Sequence, residues 1–238
     1  MPSCRMLLPA LVFLACVPVS GLAGEPGFFA GLDVSAGMAQ GSSDTRDGGA
    51  SFAGGGIVDG VKFGNTAGIG GHAGYRLDPS WSVFLSYRYV RGDVRWRAAF
   101  PAIGVASRFS GTALSHTVLA NVGYEIPLTS ATALQATAGL GVAFNALAGV
   151  AETDEATSAF LSDVADHTQA SPAARVGLGL RYAATRHATI GLDAALTYVG
   201  GFRTGNTRSG NLGTTDITPY DIDGVWRTSL SASAEVRF

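Results

Sequence analysis

Few residues in this chain of 238 are of a type and spacing that could make or break bonds. Ser115 and His116 are a nucleophile beside a base, and such a pair works only if the two groups reach each other at about 3 Å. His167 follows Asp163 and Asp166, a set that could hold a metal ion or pass a proton, while His187 lies in a short turn. Glu152, Asp154 and Glu155 precede that set, and Asp216, Asp221 and Asp223 form a second acidic group. Neither has the Asp-x-Asp-x-Asp-Gly spacing of a dedicated calcium loop, so solvated carboxylates are expected. The most distinctive cluster is cationic: Arg91, Arg95, Arg97 and Arg108, with Trp96 and Phe100 among them. Guanidinium forks beside aromatic rings suit phosphate or other acidic groups.

What those residues can do depends on the elements that hold them, and here the period is two. From Phe28 to Met38 the even positions are apolar and the odd ones, Phe29 apart, small or polar. The same split recurs in seven further runs: Thr66 to Leu77, Trp81 to Val90, Ser115 to Ile126, Leu134 to Phe144, Ala174 to Tyr182, Ala188 to Tyr198 and Trp226 to Phe238. Half-buried strands read this way, and each run has about the 9–11 residues that a tilted strand needs to cross a bilayer. Adjacent residues of a strand point to opposite faces, so Ser115 and His116 should not meet. No enzyme activity is expected. The gaps alternate between long (Gln40 to Asn65, Asp93 to Leu114, Asn145 to Ala173, Gly200 to Val225) and short, which describes an up-and-down meander.

Composition indicates the solvent of the apolar face. Only 14% of the residues are charged, well under the usual quarter, and mean hydropathy is +0.24, so part of the surface faces something other than water. No charged residue falls in any of the eight apolar sets. Aromatics gather at both ends of the runs: Phe28, Tyr75, Trp81, Tyr124, Tyr182 and Phe238 at one, Tyr87, Tyr89, Phe144, Tyr198 and Trp226 at the other. Such girdles mark the two interfaces of a bilayer. A net charge of −2 excludes a basic nucleic-acid binder. Residues 1–23, with Arg5, an apolar stretch and small residues at Gly21 and Ala23, read as an export signal that leaves 24–238 as one barrel domain. Cys4 and Cys16 both lie in that signal, so neither disulfides nor thiolate chemistry are expected of the exported chain.

The strings GFFAGLDVSAG, GIGGHAGYRL, LANVGYEIPL with ATAGLGVAFN, and SLSASAEVRF resemble, in order and placement, the small eight-stranded outer-membrane barrels of Gram-negative bacteria, the OmpA-like and opacity-type porin family. The resemblance covers residues 27–238. It implies a closed antiparallel transmembrane β-barrel with short periplasmic turns and four long extracellular loops, a monomer in contact with outer-membrane lipid and lipopolysaccharide. It also implies that the C-terminal strand ending at Phe238 is the signal read by the outer-membrane insertion machinery.

The inward sets then define the lumen. They carry Arg76, Arg88, Arg175, Arg181, Arg227 and Arg237 against Asp33, Glu125, Asp193 and Glu235, with His72 among them. Charges buried in so narrow an interior should pair and plug it. The surplus of two arginines and the many small inward residues keep a narrow, anion-leaning passive pore as the alternative. Outside, Arg91, Arg95, Trp96, Arg97 and Arg108 are the expected contacts for lipopolysaccharide or for a host or phage surface. Phe160, Leu161 and Val164 are spaced like one face of a short helix. No cofactor or metal is expected. The expected role is structural or surface-interacting, adhesion-type, through the outer loops. A lipid-A-modifying enzyme is the remotest alternative. An arginine at lipid-facing Ala194 should cost more than one at lumen-facing Thr197.

Overall fold

The computed structural model describes residues 26–211 and 213–238. The export signal, with Cys4 and Cys16, lies outside the described residues. Eleven strands are formed among the described ones: β1 (Gly27–Ser42), β2 (Ile57–Arg76), β3 (Trp81–Phe100), β4 (Val105–Pro127), β5 (Thr132–Asp154), β6 (Phe160–Val164), β7 (His167–Ala183), β8 (Ala188–Arg203), β9 (Thr207–Gly210), β10 (Gly213–Asp216) and β11 (Asp221–Arg237). Eight of them, all but β6, β9 and β10, make an antiparallel ring. β5 pairs with β7, and β1 closes on β11 from Phe29–Arg237 to Ser42–Asp223. Closure leaves no unpaired edge, which hydrocarbon requires.

The three short turns share one device. A side-chain oxygen at the first corner, Asp78 Oδ1, Thr129 Oγ1 or Thr185 Oγ1, accepts hydrogen bonds from the two amides that start the next strand. Asp and Thr are suited to this because their short side chains reach backbone two and three residues on.

The faces agree with the alternation. Leu32, Val34, Met38, Leu85, Leu140, Leu178, Leu192 and Leu230 are exposed on the outer wall, and Phe29, Asp33, Arg76, Arg88, Glu125 and Thr197 are buried inside. The girdles form as ring pairs: Phe28–Tyr75 at 5.0 Å and Trp81–Tyr124 at 4.8 Å at the short-turn end, Tyr198–Trp226 at 5.1 Å at the other.

The long connections differ from expectation. Asp93 to Leu114 is not a loop: β3 and β4 continue as a hairpin to a single 3-10 turn at Pro101–Ile103. Much of Asn145 to Ala173 is strand as well, and Phe160–Val164 is β6, not a helix. The period of two persists through these segments, but its sense inverts. Val94, Trp96, Ala98 and Phe100 point inward and are buried, while Asp93 and Arg95 point outward. Beyond the bilayer the outer wall meets water, so the dry side of the sheet becomes the inside. Polar residues facing that water gave the segments the look of loops.

Candidate functional site

Inside the membrane-spanning half, every lumen carboxylate has a cationic partner. Arg76 donates twice to Glu125, Nη1 at 2.9 Å, and Gln135 Nε2 donates to the same carboxylate at 3.1 Å. Gln135 Oε1 in turn accepts from Arg181, whose two Nη atoms lie 2.6 and 3.0 Å from Asp193. That chain of contacts joins β2, β4, β5, β7 and β8 across the barrel. Arg88 meets Asp33 at 2.6 Å, reaching over Gly70, where a Cβ would stand 2.7 Å from the Asp33 carboxylate. Glu235 lies 3.4 Å from both His72 and Arg237. The rings of Phe29, His72 and Phe84 pack about each other with centroids 5.9–6.1 Å apart, and a Cβ on Gly31 would meet His72 at 2.6 Å. The small inward residues make room for charged and aromatic side chains.

Above this layer the interior is apolar. Val94, Trp96, Phe100, Phe109, Leu147, Val150, Phe202, Tyr220 and Ile222 form one buried cluster, with Trp96 stacked on Phe109 at 5.2 Å and 3°. A bulge at Gly149 (φ 59°) lets Leu147 and Val150 both face it. Between the layers Asn145, fully buried, donates to the carbonyls of Val199 (2.6 Å) and Gly201 (2.9 Å) on β8 and accepts from Ser115 Oγ at 2.7 Å. One internal cavity, about 50 Å³, lies among the ion pairs; another, about 20 Å³, lies under the apolar cluster beside Arg227. Wide hollows of about 1260 and 1060 Å³ are lined mainly by outward apolar residues such as Ala30, Leu85, Leu178 and Leu230, the surface that acyl chains cover.

Ser115 and His116 are on opposite faces, as a strand demands. Ser115 is buried on Asn145, and His116 is exposed, its Nδ1 2.7 Å from Tyr87 Oη. The third-loop acids are dispersed. Glu152 is buried inside, Glu155 pairs with Arg97, Asp154 Oδ1 accepts from the turn that follows it, and Asp166 accepts from Gly149 N. Asp221 pairs with Arg203 at 2.7 Å, while burial, then Asp221 and Asp44, push the neighbouring Asp223 carboxyl up. Among the described residues no three His, Cys, Asp or Glu side chains are placed to share a metal ion.

Of the expected outer contacts, Arg91, Arg95 and Arg108 face outward and are exposed, and Arg97 is half-exposed. Trp96 is a correction: it alternates inward and is 2% exposed, so it offers nothing to an outer ligand. Lys62, missed in the sequence, stands directly across from Arg95 in the β2–β3 register. Arg97 and Arg108 already hold Glu155, at 2.7 and 3.4 Å, and the hydrogen bond from Arg97 holds that carboxyl below its ordinary value. Lys62, Arg91 and Arg95 have no ion pair among the described residues, and they rise in steps above Tyr89 and His116 at the outer girdle.

A family model described as an outer membrane protein beta-barrel domain matches residues 10–238. No curated protein sequence matches. Among solved structures the chain is similar to the outer membrane protein OprG from Pseudomonas aeruginosa (15% identity, 92% of this chain and 100% of that one, TM-score 0.52). It is also similar to a major outer membrane protein from Thermus thermophilus (12% identity, 89% and 99%, TM-score 0.50) and to Neisserial surface protein A (18% identity, 90% and 99%, TM-score 0.46). At these identities the likeness is one of fold.

Proposed function

Because the chain belongs to the outer membrane β-barrel family and so resides in the Gram-negative outer membrane, we propose that it is a non-conducting barrel whose work is done by its outer, β-structured extension. The observation that carries this reading is the filled interior: a polar layer with all four acids paired lies under an apolar cluster of fully buried side chains. A passive pore needs a continuous wet path, and dry constrictions stop conduction. Steady channel openings by the folded protein in a planar bilayer would overturn the reading; a silent bilayer supports it.

The partner best matched to the extension is the phosphate layer of lipopolysaccharide. Lys62, Arg91 and Arg95 are exposed, without ion pairs among the described residues, and stand just above the girdle, at the height where lipid phosphates lie. Arg97 and Arg108 are less available because Glu155 occupies them. Binding of labelled lipopolysaccharide to the detergent-solubilised protein should weaken with salt and in Arg91→Gln/Arg95→Gln, and should need the lipid-A phosphates. Equal affinity for dephosphorylated lipid A would move the reading toward a protein ligand on a host cell or phage.

A further inference from the structure

With Arg76, Arg88, Arg181 and Arg237 assigned to the four lumen acids, Arg175 and Arg227 form no ion pair among the described residues. They are not scattered. In the register Arg175 pairs with Thr197 and Thr197 with Arg227, so both arginines flank one threonine on the same inward row. The charges that act on Arg227 are Arg88 and Arg175, both repulsive, while Arg175 also feels the attraction of Asp193 and Asp33. Arg227 is 4% exposed and Thr197 1%, while Arg175 is half-buried.

The same neighbourhood collects polar atoms without partners. Among the described residues Arg227 Nε, Arg88 Nη1 and the hydroxyls Thr197 Oγ1 and Ser229 Oγ are buried and lack a hydrogen-bond partner, and Ser229 is two residues from Arg227 on the same face. Guanidinium groups do not shed their proton at accessible pH, so repulsion among three of them cannot be relieved by neutralisation. A buried unpaired charge costs several kcal/mol. Donors in excess and positive charge in excess, at one place, call for an acceptor that is negative. Arg227 lines the cavity of about 20 Å³, and Arg88 and Arg175 line the cavity of about 50 Å³ together with Arg181, Asp33, Asp193 and Glu235, where one water needs only about 10–15 Å³. That space admits a monatomic anion but no headgroup.

We propose that the lumen binds a small inorganic anion of the chloride class among Arg88, Arg175 and Arg227, as an integral part of the folded barrel. The ion completes the charge balance of the plug, so the two surplus arginines are ligands and not the lining of a pore.

The test uses the folded protein in detergent at constant ionic strength, with sodium chloride or bromide replacing sodium gluconate, and reads urea unfolding. The midpoint of the wild type should rise with the logarithm of halide concentration above the dissociation constant, the folded-to-unfolded ratio gaining about a hundredfold at a hundred times that constant. Arg175→Gln/Arg227→Gln should lose that dependence and, without halide, be no less stable than the wild type. Crystals grown in bromide should show an anomalous peak within hydrogen-bond reach of Arg88, Arg175 and Arg227. No lumen peak, or peaks only on the outer wall or the extension, means an adventitious ion only and overturns the proposal. A halide response that survives in the double variant overturns it as well. If the variant does not fold, or if the two readouts disagree, the bromide map of the wild type decides.

Discussion

Arg208 Nε lies 3.0 Å from the Glu152 carboxylate, with both side chains almost wholly withdrawn from solvent. Ser162 Oγ donates to Glu152 at 2.6 Å and accepts from Arg208 at 2.9 Å, and the guanidinium lies 3.8 Å above the ring of Phe52. One buried contact thus ties β5, β6 and β9 to the connection between β1 and β2. Burial beside Glu152 also pushes the Tyr220 hydroxyl above its usual range. The outer segments are held by a charge that cannot be left alone.

Removing one partner there should be far worse than removing both. Arg208→Ala leaves Glu152 buried and uncompensated, at a cost of about 3–5 kcal/mol. Arg208→Met with Glu152→Gln should recover much of that loss. Urea unfolding of the two variants checks it, and similar stabilities would show that the pair is not what holds the extension.

Asn145 should behave as a strut. Changing it to Ala strands the carbonyls of Val199 and Gly201 and the Ser115 hydroxyl in a dry interior, at about 1–3 kcal/mol for each group left unsatisfied. Amide exchange at β8 residues 199–201 should quicken before the periplasmic half of the barrel responds. A variant with unchanged exchange there would argue against the strut.

Ala194→Arg places a charge on the lipid wall midway along β8 and should cost about 2–4 kcal/mol. The alternation alone makes Thr197→Arg the milder change, because that position faces the lumen. In the structure Thr197 is fully buried between Arg175 and Arg227, so a further guanidinium there would crowd a group of arginines already in excess, and Thr197→Arg should cost at least as much as Ala194→Arg. Both variants should lower the unfolding midpoint. An unaffected Thr197→Arg barrel would mean that the lumen is looser than these contacts imply.

Glu155 should titrate below an ordinary glutamate because its hydrogen bond from Arg97 favours the charged form. A depressed folded pKa adds stability above the unfolded value, near 4.5, and that contribution is lost as pH falls through the folded one. Carboxyl carbon NMR should follow the shift, and Arg97→Gln should return Glu155 toward its usual range. Because the pair is exposed, the effect should shrink with salt.

Read residue by residue, the chain carried the fold class, the eight wall strands and the face of each side chain in them. These follow from local facts. A strand alternates every residue, a bilayer excludes charge from one of its faces, and aromatic rings settle where lipid meets water. The lumen charges were legible for the same reason, down to the surplus of two arginines. Which acid meets which arginine was not, because pairing depends on register and strand tilt: Arg76 and Glu125 are 49 positions apart yet share two hydrogen bonds. Nor could the sequence show that alternation continues with its sense inverted past Val90, since polar residues at odd positions look the same in a loop and on a wall facing water. Trp96 was misplaced on that account. Only closure of the ring decided that its inward neighbours converge on a dry cluster, because an interior is defined by the strands on its far side.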